Sequence, residues 1–361
     1  MSLPSTASSA SLGVANVPDY DIQLGGGRMP AGARRDIRSI TVQEDVDALS
    51  MFTIELYNWD EEKRKVTWSD ASTFAVGTDV VVSLGYLGDL HPVMAGEITS
   101  LEPTFSAGST PLLVVRGYDH RVRLSRKRDS DDYRKVKISD LASTIAVKAG
   151  LGAQVEDSGV THESVARYNQ TDLEFLRSWA RRIGYEVFVK DKVLHFAKPA
   201  NTRKAAVTLV LDVDVTEFTP RLSALSQLGE VTVRGWDVKQ KKAIVGRARA
   251  GQEAKATGDR SSGPREADRA LGEGAAATLS LPVDSQAEAD QLALGQLNEM
   301  ALQYIQGDLG CYGRPQVRAG VVVEVAGAGT TFSGPYYVTS AVHSMTPDGY
   351  TTHLSVRRNA T

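Results

Sequence analysis

Hydrophobic and polar residues alternate through much of the first third of the chain. In Met51–Tyr57, Phe52, Ile54 and Leu56 fall on one side and Thr53, Glu55 and Tyr57 on the other. That period of two predicts a half-buried strand. Ile37, Ile40 and Val42 mark another run, and residues 80–84 and 112–115 two more, with Gly85, Gly88, Gly108 and Pro111 as turn signals. Residues 18–125 therefore read as an antiparallel β-barrel region. A Ser- and Ala-rich stretch, 1–17, precedes it as an expected flexible arm.

The period changes in the middle. Ser139 is placed to cap a short helix with Leu141, Ile145 and Ala149 on one side and Gly150 at its end. Thr171 and Glu174 have capping-box spacing, in which hydroxyl and carboxylate each accept a backbone N–H of the first turn. Leu173, Leu176, Ala180 and Ile183 then recur at helical spacing, and Gly184 stops the run. Residues 185–189 and 193–196 predict a hairpin about a turn at 190–192. Residues 126–200 thus form a small α+β module.

Residues 201–361 return to strands, at 207–215, 231–236, 321–325, 337–342 and 351–356. Asp212 and Asp214 alternate with Val213 and Val215 and read as the wet face of a strand. Residues 251–276 are polar, Gly-rich and aperiodic, so a mobile loop is expected there. Ser285 and Glu288 form a second capping box and open a helix, 285–306, with an apolar stripe of Ala293, Leu297, Met300 and Tyr304.

Two distant segments resemble each other. Val80, Val81 and Val82 lead through a Gly turn to Ile98, Thr99 and Ser100, then to Leu113, Val114, Val115 and Arg116. Val321, Val322 and Val323 lead through a Gly turn to Val338, Thr339 and Ser340, then to Leu354, Ser355, Val356 and Arg357. From triplet to Thr-Ser strand is 18 residues in one and 17 in the other. Strands share valine and threonine by propensity alone, but order, turn position and spacing agree together, which favours a duplication. Three chains carrying two copies of one barrel would present six similar faces.

Composition narrows the function classes. With 361 residues the chain suits two or three domains, and 42% hydrophobic residues are enough for real cores. A net charge of −3 gives the whole chain no strong field for nucleic acid or anionic membrane. The basic run 121–128 is followed at once by Asp129, Asp131 and Asp132, and reads as a solvated, self-neutralising segment. The single cysteine, Cys311, allows no intrachain disulfide, fits a reducing cytoplasm and reads as a buried inert thiol. The N-terminus lacks a secretory signal pattern, and no apolar run approaches a membrane span. Any role outside the cell is then expected as part of a larger particle.

Candidate chemistry is sparse. No two of His91, His120, His162, His195, His343 and His353 have the spacing of a helical zinc site. His343 and His353 could meet across a hairpin, but isolated strand histidines are the plainer reading, and His162-Glu163 alone is weak. Residues 129–132 lack the Gly and closing Glu of a calcium loop. Gly327, Gly329 and Gly334 lie between strands with no helix to receive a phosphate. No Gly-x-Ser-x-Gly elbow occurs. No catalytic, cofactor or metal residue is assigned.

The stretch 168–176, running through Trp179, Ala180, Gly184 and Tyr185 to Leu194 and Phe196, resembles a signature of contractile-tail hub proteins. These are the late control protein D family of phages and the hub part of VgrG-type spike proteins. Arg116, Gly117, Tyr118 and Asp119 with Arg123 and Leu124 resemble the end of that family's first barrel; residues 334–338, His343 and 349–352 resemble its last strands. The resemblance implies a mainly β fold with α+β insertions: two similar tube-like antiparallel β-barrels plus a small α/β module. It implies a homotrimer joining a hexameric tail tube protein to a trimeric spike, among other baseplate proteins. Thr171, Asp172, Glu174, Phe175, Leu176 and Gly184 carry over as fold residues: helix start, core face and helix stop. VgrG-type chains continue into a β-helical needle; no such repeat occurs before Thr361, so the spike is expected to be a separate protein. A tail-associated wall hydrolase and a tail-tube or adaptor subunit are the alternatives, and the first needs paired carboxylates that no spacing singles out.

Overall fold

The computed structural model of the chain describes residues 17–201, 203–237, 240–254, 261–272 and 275–361. The first copy holds β1 (Pro18–Leu24), β2 (Gly27–Arg28), α1 (Ala31–Asp36), β3 (Ile37–Asp45), β4 (Met51–Tyr57), β5 (Asp79–Tyr86), β6 (Asp89–Thr104) and β7 (Leu112–Asp119). The first half of β6 pairs with β5 and the second with β7, so the sheet turns a corner at Gly96. A Cβ there would lie 2.2 Å from the Tyr118 carbonyl oxygen, so only glycine fits. Ile40, Phe52, Ile54, Val82 and Val115 fill the interior.

The middle comprises β8 (Arg128–Lys137), α2 (Ile138–Lys148), β9 (Gly152–Val155), β10 (Thr161–Thr171), α3 (Asp172–Ile183), β11 (Glu186–Lys190) and β12 (Val193–Ala197). Helix α2 starts two residues earlier than expected: Lys137 is its N-cap, and Ser139 lies buried inside it. Helix α3 has a complete capping box, Thr171 with Glu174, and ends on Gly184 at φ 70°. The β11–β12 turn is two residues, Asp191 and Lys192, both at positive φ, as a tight hairpin requires.

The last part begins with β13 (Val207–Val210) and β14 (Val215–Leu222). The single strand expected over 207–215 is broken: Asp212 sits at φ 62° in a turn, and Asp214 accepts the Val210 N–H and pairs with Arg314. There follow β15 (Glu230–Asp237), β16 (Lys242–Arg249), α4 (Gly263–Leu271), β17 (Ala276–Ser280) and α5 (Gln286–Ala301). Helix α4 corrects the expectation of a loop through 251–276. Gly263, Pro264 and Ala267 are buried, and Gly263 abuts the Tyr304 ring, so packing supplies what composition does not. Residues 255–260 and 273–274 lie outside the described residues, as do 1–16 of the expected arm. Helix α5 stops at Ala301 rather than 306, and Tyr304 packs from the following turn. The chain closes with β18 (Ile305–Tyr312), β19 (Val322–Ala326), a one-turn helix α6 (Gly329–Phe332) within the glycine-rich segment read as helix-free, β20 (Gly334–Thr346) and β21 (Gly349–Arg358).

The two barrels have the same strand order. The first runs β1-β5-β6-β7-β4-β3 and the second β13-β19-β20-β21-β18-β14. Three ladders match residue for residue. A one-residue bulge falls at Thr99 in β6 and at Thr339 in β20; another falls at Arg38 in β3 and at Thr216 in β14. Gly77 and Gly320, at φ 88° and 82°, both donate to the carbonyl just before the β6 or β20 bulge. The first strands differ, since β1 is antiparallel to β5 but β13 is parallel to β19. Residues 46–50 join β3 to β4, whereas 223–304 intervene between β14 and β18. That insertion packs on the middle module: Val231, Val233, Ile244, Leu292 and Leu297 share one core with Leu141, Phe175, Leu176 and Phe196.

Candidate functional site

The barrels merge into one sheet because β20 outruns β19. Its residues 340–345 pair with β3 instead, giving eight antiparallel strands in the order β14-β18-β21-β20-β3-β4-β7-β6. One face covers the two apolar cores. The other is polar: Thr351, Ser344, Thr41, Thr53, Arg116 and Ser100 lie opposite one another on six successive strands. Period-two alternation in every strand makes this wall.

The seam between β3 and β20 is clamped by Glu44 and Arg318. The guanidinium donates to both carboxylate oxygens at 2.5 Å and to the Pro92 carbonyl, and each side chain is about nine-tenths buried. A groove of about 1010 Å³ opens at one end of the sheet, walled by Tyr20, Tyr86, Tyr312 and Tyr350. Its Arg314 is held by Asp214 at 2.5 Å.

Buried charge ties the module to the barrels. Arg121 is fully buried, which corrects the reading of the whole 121–128 run as solvated. It donates to Asp119 and Ser50 and to the carbonyls of Asp45 and Val187. The rest of the basic run, Arg123, Arg126, Lys127 and Arg128, is exposed. Glu186 on β11 accepts from the Tyr337 hydroxyl on β20 at 2.5 Å, and burial pushes its carboxyl up to about 7. His162 stands 3.4 Å from Glu288, both buried, joining β10 to α5. The Glu288 carboxylate accepts from the Asp284 N–H, so only half of the second capping box forms.

Sequence spacing missed one cluster because its members come from three segments. Asp79, Glu97 and His120 bring potential ligand atoms within 4.8 Å of one another. Lys192 lies 2.9 Å from Asp79, and Arg123 contacts Glu97. Burial opposes ionisation of Asp79, but the hydrogen bonds from Lys192 and His120 outweigh it and hold its carboxyl below the usual range. Two cations already occupy these carboxylates, so the cluster reads as an ion-pair network rather than a metal centre. His343 and His353 point to opposite faces. His343 is buried, 2.9 Å from the Tyr350 hydroxyl and pushed down to about 3 by burial; His353 is exposed. Burial pushes the Cys311 thiol up to about 12. Asp172 meets Arg167 at 2.5 Å, while Phe175 and Leu176 are fully buried.

The architecture is that of tail proteins from phages and related secretion machines. The chain is similar to the 43 kDa tail protein of prophage MuSo2 from Shewanella oneidensis, at 15% identity and a TM-score of 0.68 over 94% of this chain and 98% of that one. It is similar to the tail protein of Neisseria meningitidis MC58, at 14% and 0.67 over 95% and 97%. It also resembles an E. coli type VI secretion component described as structurally similar to T4 bacteriophage tail proteins gp27 and gp5, at 13% and 0.60 over 93% and 76%. No curated protein matches the chain. The chain belongs to the family of the Alg8 N-terminal domain, whose model matches residues 15–347.

Proposed function

We propose that this chain is the structural hub of a contractile phage tail or a tail-like injection machine, as the resemblance to late control protein D and VgrG-type hubs implies. Three copies form a ring that joins a hexameric tail tube to a separate trimeric spike among other baseplate proteins. The observation that carries this is the duplicated barrel, with matched strand order and matched bulges. A trimer of such chains offers six similar barrels to the tube and three equivalent modules to the spike. The polar face of the eight-stranded sheet suits a wet channel wall. Thr171, Asp172, Glu174, Phe175, Leu176 and Gly184 act as fold residues. The chain is made in the bacterial cytoplasm and works in the particle. It needs neither nucleic acid nor membrane: its net charge is −3, and no described helix is long and apolar enough to cross a bilayer. It is not an enzyme on this reading.

A reconstruction of particles from the native host tests the proposal. Three copies around the tail axis, contributing six barrels, are expected. Six copies, or a position off the axis, overturn the hub. A peptidoglycan-release assay tests the non-enzymatic reading, which turnover abolished by a single carboxylate substitution would defeat.

A further inference from the structure

The β11–β12 hairpin of the middle module rests on both barrels, and the two contacts differ in kind. Toward the first barrel it is held through ion pairs. Lys192, in the turn, lies 2.9 Å from Asp79. The Val187 carbonyl accepts from Arg121, which Asp119 neutralises at 2.6 Å. Toward the second barrel the polar contact is Glu186 with the Tyr337 hydroxyl, and among the described residues no cation bonds that carboxyl. Other buried carboxyls have one: Glu44 has Arg318, Asp119 has Arg121, and Glu288 has His162 and Arg182.

The seat around Glu186 is largely apolar. Tyr337 is 3% exposed, and Phe188, Val46 and the Tyr337 hydroxyl each stand 3.9 Å from where a Cβ on Gly320 would lie. The charged groups around it come from every neighbouring element. Asp47 of the β3–β4 loop opposes a second negative charge, Arg357 of β21 favours one, and Arg203, between β12 and β13, acts on Tyr337. His195 of β12 stacks on Phe188 with ring centres 4.6 Å apart; burial, then Lys190 and Arg203, hold its imidazole below the usual range. Ionised in this seat, Glu186 would lose water and gain no bonded cation, so it holds its proton. Burial raises its pKa to about 7, with the Tyr337 hydrogen bond opposing the rise and Asp47 adding to it.

We propose that the β11–β12 hairpin is a proton-held latch: it closes on the second barrel while Glu186 is a neutral acid, and swings away, still tied to the first barrel, when Glu186 ionises. The opened carboxylate regains water and distance from Asp47, and the Arg121 and Lys192 contacts remain as the pivot. The sign follows from linkage. A carboxyl whose pKa is raised in the closed form stabilises that form fully below its free value of 4.5, and the contribution is lost as pH rises through about 7. Between pH 6 and pH 8 Glu186 thus raises the open-to-closed ratio about tenfold. His195 opposes it, because an imidazole held low when closed favours the closed form as pH rises toward 6.5. The effect is therefore read as a difference from a chain without the acid. The inference goes beyond the hub reading and does not depend on it.

Thiol labelling of the isolated, folded chain tests the latch. Val46 is 5% exposed and packs with Tyr337 under the hairpin, so Val46→Cys places a thiol that the closed latch covers. Cys311, in the second barrel's core, is the internal reference for global unfolding. Dividing each rate by that of the urea-unfolded chain at the same pH removes the thiol's own ionisation. The introduced thiol is expected to react faster than Cys311 and with a weaker urea dependence, the mark of an opening smaller than global unfolding. From pH 6 to pH 8 its normalised rate should rise about tenfold more in the chain that keeps Glu186 than in one that also carries Glu186→Gln. Ala319→Cys repeats the measurement from the second-barrel side of the same small cluster. Thiols at both positions that react only together with Cys311 overturn the latch. So does a pH dependence that is the same with and without Glu186→Gln. Either result leaves the hub reading untouched.

Discussion

Arg121 is fully buried in a run whose other basic residues face water, so its charge depends wholly on nearby partners. Asp119 supplies the counter-charge at 2.6 Å, and Ser50, Asp45 and Val187 absorb the remaining donors. Removing one member of such a pair strands the other, so Arg121→Met is expected to cost about 3–5 kcal/mol in urea denaturation. Asp172 repeats the lesson more mildly. Read from sequence it is a favourable charge in a helix's first turn, worth about 0.3–1 kcal/mol. In the structure it also neutralises Arg167, whose side chain is 3% exposed. Asp172 is itself about a third exposed, so solvent screening discounts the pair, and Asp172→Ala is expected to cost about 1.5 kcal/mol. Glu186 gives the pH dependence. Its folded pKa is raised, from 4.5 to about 7, so its contribution is fully present below 4.5 and is lost as pH rises through about 7. His343, held down at about 3, contributes stability as pH rises toward 6.5 and so opposes Glu186 over part of this range, which makes the test a difference. Relative to the parent, Glu186→Gln should gain stability between pH 5 and pH 8, by up to about 3 kcal/mol. An unchanged slope in the variant would assign the effect to another group.

Elements were legible where their signals are local. Helix α3 could be read whole, because its cap, apolar stripe and stop are its own residues. Leu176 is fully buried there, and Leu176→Ala is expected to cost about 2–5 kcal/mol. What α3 packs against could not be read. Gly184 meets Gly295 of α5, and a Cβ on Gly295 would stand 2.8 Å from the Gly184 nitrogen. Gly295→Ala should therefore part the two elements at a cost of about 1–3 kcal/mol, seen as a lower melting temperature. Sequence could not show this because 223–304 carries no local sign that it leaves its barrel for the module. The duplication was legible in order but not in register. The valine triplets match two residues out, since the β5 ladder aligns Val80 with Val323, and Arg116 aligns with Ser355 rather than Arg357. A slip of two keeps every side chain on its face, so hydrophobic pattern alone cannot detect it. Helix α4 was missed because its nine residues lie inside a longer polar, Gly-rich stretch and its buried face, Gly263, Pro264 and Ala267, carries no large apolar side chain to mark it. The Asp79, Glu97 and His120 cluster was missed because only folding joins its three segments.

At the scale of the whole molecule, the internal seam decides whether two barrels behave as one body. Its polar-face rungs are ordinary, but Glu44 and Arg318 cross it as a buried, two-point ion pair that also takes the Pro92 carbonyl. Arg318→Met should cost about 3–5 kcal/mol, because Glu44 would stay buried without its partner. Replacing the pair together, Glu44→Leu with Arg318→Ala, should recover most of that loss, since no unpaired charge remains. Hydrogen exchange supplies the second readout. In Arg318→Met the amides of Val42 and His343, which bridge the seam, should lose more protection than those of β4 inside the first barrel. Equal loss in both places would mean the barrels unfold as one body even without the clamp, and that the continuous β3–β20 ladder is sufficient to hold them.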